Sequence, residues 1–242
     1  MRVWAAALCL LWLGSAQALQ AVTEDKPPYN WQTPEGQVSG FSVAVLGELL
    51  ARSHLTLDPP GVRLLPWARA YQLALHTPDT LIFSTARIPE RESLFFWIGP
   101  ITGSHTIWFW RLRNRPEVVW EDDQDRQQWR VGVVRSSAYR EQLEKEGFVL
   151  RTVNREEDKF QMLLLRRVDL IAAPEAEVRF QMRRLGKDPA LLAPVSVYNH
   201  DYEYYFALNR RSDPELARQL QEALEGMRLD GALARLQQEW LE

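Results

Sequence analysis

Cysteine is nearly missing from this chain: Cys9 is the only one in 242 residues. It lies within the opening stretch MRVWAAALCLLWLGSAQA, which carries one positive charge at Arg2, an apolar run from Val3 to Leu13, and Ala16 and Ala18 spaced as a small-x-small cleavage site. Residues 1–18 therefore read as a secretory signal peptide. Leu8, not a small residue, precedes Cys9, so a lipid-attachment cysteine is not indicated. Cleavage after Ala18 leaves 224 residues without cysteine, which excludes disulfides and makes the core carry the fold.

Other absences narrow the function. No later apolar run approaches the roughly 18 residues that span a bilayer, so an integral membrane protein is not expected. Without Arg2 the chain has 28 basic against 32 acidic residues, a net charge of −4. Its basic clusters are short, such as Arg111 to Arg115, which argues against a nucleic-acid partner. GFSVA around Ser42 lacks the last glycine of a nucleophile elbow, and there is no phosphate loop. His54, His76, His105 and His200 stand in no metal-ligand spacing and read as surface or packing residues. The acidic group Glu121 to Asp123 with Asp125 reads as a solvated loop. No cofactor and no metal are implied, and no internal repeat or low-complexity segment is present.

What is present is an alternation of short apolar strands and amphipathic helices, the pattern of an α/β domain. GFSVAVLGELLARSH predicts a helix with Phe41, Val45 and Leu49 on one face. VRLLP predicts a strand, WARAYQLALH a helix, TLIFSTA a strand, and Pro89 opens a further helix. HTIWFWRLR reads as a strand, with Trp108 and Trp110 on one face and better suited to core packing than to a ligand. A second series runs from RVGVVRSSAYREQLEKEG through FVLRTV, a helix capped by Asn154, VDLIAA and EAEVRFQMRRLG. HDYEYYFALNRR predicts a returning strand, and the chain ends in helices that break near Gly231. Two lobes joined by extended crossings near 103–112 and 197–208 follow, with a cleft between them as the ligand site.

Two stretches suggest anion binding. In IFSTARIPERE an apolar strand runs into two arginines, and Arg91 falls in the first turn of the helix expected from Pro89. A cation there opposes the macrodipole unless an anion sits nearby; the alternative is a surface arginine paired with Glu90 or Glu92. In VVRSSAY, Ser136 and Ser137 offer hydroxyls and backbone amides at a helix start, or simple capping by Ser137.

The combination TEDKPPYNWQTPEGQVSGFSVAVLGELLAR, STARIPERE with FFWIGPI, RVGVVRSS, RRVDLIAA and DPELARQLQEALEGMRLDGALARLQQEW resembles the family 3 extracellular solute-binding proteins, periplasmic components similar to the polar amino acid receptors of ABC transporters. The resemblance implies a two-lobed type II periplasmic binding protein fold. Residues 19–104 form the first part of lobe 1 and 105–199 form lobe 2. Residues 200–242 return to lobe 1 and add the C-terminal helices. It further implies that Arg91 binds a ligand carboxylate and that Ser84, beside Thr85, supports it, while the second hydroxyl position is Ala86. Ser136 and Ser137 complete the clamp from the other lobe. The amine-binding aspartate corresponds to Pro174, so an α-amino group depends on Glu175, one residue on. The stacking aromatic corresponds to Lys26, leaving Tyr29, Trp67 and Tyr71 to wall the pocket or to pack at lobe edges. Arg87 lies outside the family pattern, as a second charge for a dianion or as a surface residue.

The function so implied is periplasmic capture of a small polar or carboxylate-bearing ligand, an amino acid or a relative, as a non-enzyme serving an inner-membrane ABC permease. The rivals are a cyclohexadienyl dehydratase-like enzyme with Glu175 as general acid, and an orphan or sensory binding protein.

Overall fold

The computed structural model describes residues 19–119 and 126–241. The expected signal peptide and the acidic group at 121–125 lie outside the described residues. In chain order the elements are β1 (Leu19–Thr23), β2 (Trp31–Gln32), β3 (Val38–Ser39), α1 (Phe41–Ser53), β4 (Leu57–Leu64), α2 (Trp67–His76), β5 (Thr80–Ala86), β6 (Phe95–Ile98) and β7 (His105–Leu112). They continue with β8 (Arg130–Val134), α3 (Ala138–Lys145), β9 (Val149–Val153), α4 (Glu156–Leu164), β10 (Leu170–Pro174), α5 (Glu175–Arg184), β11 (Leu192–Tyr202), β12 (Tyr204–Asn209), α6 (Pro214–Leu229) and α7 (Ala232–Leu241).

Local chemistry explains most of these boundaries. Phe41, Val45 and Leu49 recur at helical spacing and are all fully buried, which fixes the inner face of α1. Gly40 precedes that helix at φ 125°, and a Cβ there would lie 2.5 Å from the Tyr29 carbonyl oxygen, so no larger residue fits. Asp213 caps α6 by accepting from the Glu215 amide, Pro214 takes the first helical position, and Leu216, Leu220, Leu224 and Met227 bury one stripe.

Each lobe is built on a five-stranded sheet. The first runs β4-β1-β5-β12-β6 and the second β11-β7-β10-β8-β9. In the first, β1 is parallel to β4 and β5, while β12 lies antiparallel to β5 and β6. In the second, β8 is parallel to β9 and β10, while β7 lies antiparallel to β10 and β11. The chain thus leaves the first sheet between β6 and β7 and rejoins it between β11 and β12, around Glu203. The C-terminal ends of parallel strands are where ligands settle in open α/β sheets, and here those ends of both sheets meet at one place.

Two local expectations differ from what forms. Pro89 opens a six-residue 3-10 turn, Pro89–Leu94, because the chain must extend again at once to bury Phe95 in β6. Asn154 does not cap α4: the helix starts after Arg155 without a side-chain cap, and Asn154 Oδ1 accepts instead from Arg135 Nε at 3.3 Å. Glu156, Glu157 and Asp158 in the first turn offset the macrodipole there. In TLIFSTA, Ser84 at φ 55° makes a bulge opposite Tyr205 and Phe206, in a strand buried along its whole length.

Candidate functional site

Arg91 is 2 % exposed, one of the largest fully buried side chains of the molecule. The short turn after β5 drives its guanidinium inward, 4.8 Å from the Tyr71 ring centroid and 5.7 Å from that of Trp67. Both aromatics come from α2 and stack at 5.8 Å. From the other lobe, Ser136 at φ 58° turns its carbonyl toward this group and accepts from Arg91 Nη2 at 3.1 Å and Trp67 Nε1 at 2.8 Å. Arginine, tryptophan and serine thereby join the two lobes.

A small cavity of about 20 Å³ lies beside them, bounded by Glu24, Lys26, Ser84, Ser137, Tyr202 and Tyr204 among others. That is space for about one water, so the cleft is closed here. Ser84 exchanges a hydrogen bond with Ser42 Oγ at 2.9 Å and donates to Asn30 Oδ1. Ser137 is engaged as the cap of α3, accepting from the Arg140 amide at 3.2 Å. The Tyr204 hydroxyl faces the cavity, is buried, and has no hydrogen-bond partner among the described residues. Burial, with Tyr29 and Tyr202 close by, raises its pKa well above the ordinary phenol value, so it stays a donor.

The rest of the site is a buried ion cluster that sequence reasoning missed. Lys26, after β1, puts Nζ 2.7 Å from Glu156 Oε1 and 3.1 Å from Glu177 Oε2. Lys159 Nζ lies 2.5 Å from Glu156 Oε2 and 3.2 Å from Glu177 Oε1, and donates to the Ala172 carbonyl at 3.1 Å. Burial opposes ionisation of Glu156, but Lys159 and Lys26 outweigh it and hold its pKa far below the usual range. Burial opposes the charge on Lys26 too, and Glu156, Glu177 and Glu24 more than restore it. Burial, then the Glu156 charge, raises Glu177 and pushes Glu24 up to about 8. A carboxylic acid that stays protonated at neutral pH therefore sits beside Lys26 and Arg91.

The residues expected at the site fall into several groups. Arg91, Trp67, Tyr71, Ser84, Ser136 and Ser137 come together at the closed cleft. Thr85 is fully buried with its hydroxyl unpartnered and does not line that cavity. Tyr29 is buried against Tyr204 at 4.7 Å and His105 at 6.2 Å, and lines a separate cavity of about 430 Å³. Glu175 borders that second cavity with its side chain 61 % exposed, 3.5 Å from Arg179. Arg87, side chain 43 % exposed, forms a two-pronged pair with Glu92 and leans on Trp97 and Tyr205, away from Arg91's cavity. Trp110 is buried in the lobe 2 core and donates to the Ala173 carbonyl at 2.9 Å. Among the described residues no group of His, Cys, Asp and Glu could hold a metal ion, and no helix is long and apolar enough to cross a membrane.

The signal for the missed cluster was present in helical phase. Glu156 and Lys159 share the buried stripe of α4 with Phe160 and Leu163, and Glu177 shares that of α5 with Val178 and Met182. Charges on an apolar stripe need partners, and here they find each other.

Residues 19–242 match the family model of bacterial extracellular solute-binding proteins, family 3, and the chain belongs to that family. It is a solute-binding protein of the two-lobed periplasmic type. Among solved structures it is similar to a histidine kinase sensor domain with similarity to periplasmic binding proteins, at TM-score 0.80 and 18 % identity, covering 93 % of this chain and 96 % of that one. A periplasmic His/Glu/Gln/Arg/opine family-binding protein from Silicibacter pomeroyi, in complex with lysine, matches at TM-score 0.76 and 17 % identity over 93 % and 97 %. An ancestral amino acid-binding protein, a precursor of cyclohexadienyl dehydratase, matches at TM-score 0.73 and 16 % identity over 93 % and 95 %. No curated protein matches the chain in sequence.

Proposed function

We propose that this solute-binding protein captures a small carboxylate-bearing solute, an amino acid or a relative of one, between its lobes and presents it for ABC-type uptake. Residues 1–18 direct it to the periplasm as a cleaved signal, residues 19–104 and 200–242 form lobe 1, and residues 105–199 form lobe 2. The observation that carries this reading is Arg91. A guanidinium buried against Tyr71 and Trp67, at a cavity walled by both lobes, is a site for one anion and is costly without purpose. The Tyr204 hydroxyl supplies a further donor, Ser84 borders the same cavity, and Ser136 and Ser137 close from the opposite side. Hinge motion then turns solute binding into a shape that a membrane permease reads.

Thermal unfolding of the mature protein against amino acids, hydroxy and oxo acids, dicarboxylates, amines and sugars tests this. A solute at 100 times its dissociation constant adds about 2.7 kcal/mol, roughly 5 to 10 °C. A shift by a carboxylate, lost in Arg91→Ala, is the expected result; shifts only by amines or neutral sugars overturn it. Copurification with a permease supports the uptake arm, and copurification with a sensor kinase instead removes it.

A second reading, an enzyme on the same scaffold, has one observation in its favour. Glu24 borders the cavity beside Arg91 with its pKa pushed up to about 8, as a general acid requires. Glu175, exposed and at another cavity, does not fill that role. Release of phenylpyruvate from prephenate, lost in Glu24→Gln, decides for the enzyme.

A further inference from the structure

The clearest departure from an open amino acid pocket is that a cation is already inside. Lys26 comes from lobe 1, while Glu156 and Glu177 come from the starts of α4 and α5 in lobe 2. Between them Lys26 and Lys159 place a nitrogen within 3.2 Å of each of the four carboxylate oxygens of Glu156 and Glu177. No oxygen of either carboxylate is left without an ammonium. An incoming ammonium would have to displace Lys26 or sit close to it, and two like charges in a desolvated site repel strongly.

What remains at the cavity is donor-rich. Arg91 lines it with Lys26 and the Tyr204 hydroxyl, which has no hydrogen-bond partner among the described residues.

We propose that Lys26 is a resident cation occupying the place a ligand ammonium would take, so that the solute of this cleft is a carboxylate without an α-amino group, of the 2-hydroxy or 2-oxo acid class. This rests on the carboxylate reading of Arg91 given above and narrows it. Lys26 is then a specificity-determining residue: it keeps amino acids out by the charge that also ties the lobes.

Calorimetric titration of the mature protein with matched pairs tests the proposal: alanine against lactate and pyruvate, phenylalanine against phenyllactate and phenylpyruvate, glutamine against its 2-oxo analogue. In the wild type the deaminated member of the pair that binds is expected to be at least about tenfold tighter than its amino acid. Lys26→Arg keeps that order. Lys26→Met, which vacates the ammonium position while leaving Glu156 and Glu177, reverses it. If the amino acid binds as tightly as its deaminated partner and Arg91→Ala abolishes both, the resident-cation proposal is wrong while the carboxylate reading stands. If no carboxylate of either kind binds, the reading of Arg91 fails and takes this proposal with it. The wild-type comparison is decisive even if Lys26→Met does not fold, which circular dichroism reports.

Discussion

Asp169 and Lys26 are both buried charges held by two opposite ones, yet they occupy different kinds of place. Asp169 accepts from Arg115 Nη1 at 2.5 Å, from Arg130 Nε at 2.8 Å and from the Arg130 amide at 3.0 Å. All three residues belong to lobe 2, where they tie the entry of β10 to that of β8. Lys26 instead reaches from one lobe to two carboxylates of the other. Charge inside a lobe is dry whenever that lobe is folded, whereas charge between lobes is dry only while the cleft is shut. The first therefore reports on unfolding and the second on closure, and losing a partner at the interface costs no more than opening the cleft to water.

The largest way to sharpen this contrast is to remove the proposed anion site. Arg91→Ala is expected to weaken carboxylate binding about 100-fold or more, near 3 kcal/mol, because a charged hydrogen-bonding partner is lost from a desolvated pocket. Titration calorimetry reads it, and a loss under threefold would place the solute elsewhere. Next in size is the lobe's own cluster. Asp169→Asn is expected to cost about 1 to 3 kcal/mol, discounted for the half-exposed Arg130, or roughly 3 to 10 °C in the melt, with solute affinity unchanged. Burial opposes the Asp169 charge, but hydrogen bonds from Arg130 and Arg115 lower its pKa to about 2. Its contribution is present above the unfolded value near 4 and fades as pH falls toward 2, so the variant and wild type should converge in acid.

Glu24 gives the opposite sign. Its pKa in the folded chain, about 8, lies above the ordinary carboxylic acid value of 4.5, so the folded state holds the proton more tightly. That stabilisation is full below about 4.5 and is lost as pH rises to 8. Melting curves of wild type and Glu24→Gln should therefore draw apart by a few degrees across this range, the wild type losing ground. Parallel curves would mean that Glu24 is already ionised in the closed cleft.

How much of this was legible in the sequence follows the range of each signal. Phe41, Val45 and Leu49 lie within one helix, and TLIFSTA is a single apolar run, so both elements could be read locally. Arg91 was singled out by the resemblance of its stretch to the family motif, while the local reading of a helix from Pro89 gave way to a 3-10 turn. The ion cluster could not be read, since Lys26, Glu156 and Glu177 are brought together only by the docking of two lobes. Glu175 shows how close a reading by position can come and still point the wrong way. At about 100° per residue, Glu177 lies roughly 200° around α5 from Glu175, which puts one carboxylate in the core and the other in solvent.

The smallest expected effect belongs to the other arginine of the same stretch, and it makes the comparison specific. Arg87 and Arg91 are four residues apart, but Arg87 pairs with Glu92 at the surface and rests 5.9 Å from Trp97 and 5.7 Å from Tyr205. An exposed pair of this kind contributes about 0.5 kcal/mol or less. Arg87→Ala should therefore move the melting temperature by about 2 °C at most and leave affinity for monocarboxylates and dicarboxylates alike untouched. Titrating both solute classes into this variant separates two roles for the residue. A tenfold loss confined to dicarboxylates would mean that the cleft, once open around a solute, brings Arg87 within reach of a second charge. Unchanged affinity for both leaves Arg91 as the anion site and Arg87 as a packing group on Trp97 and Tyr205.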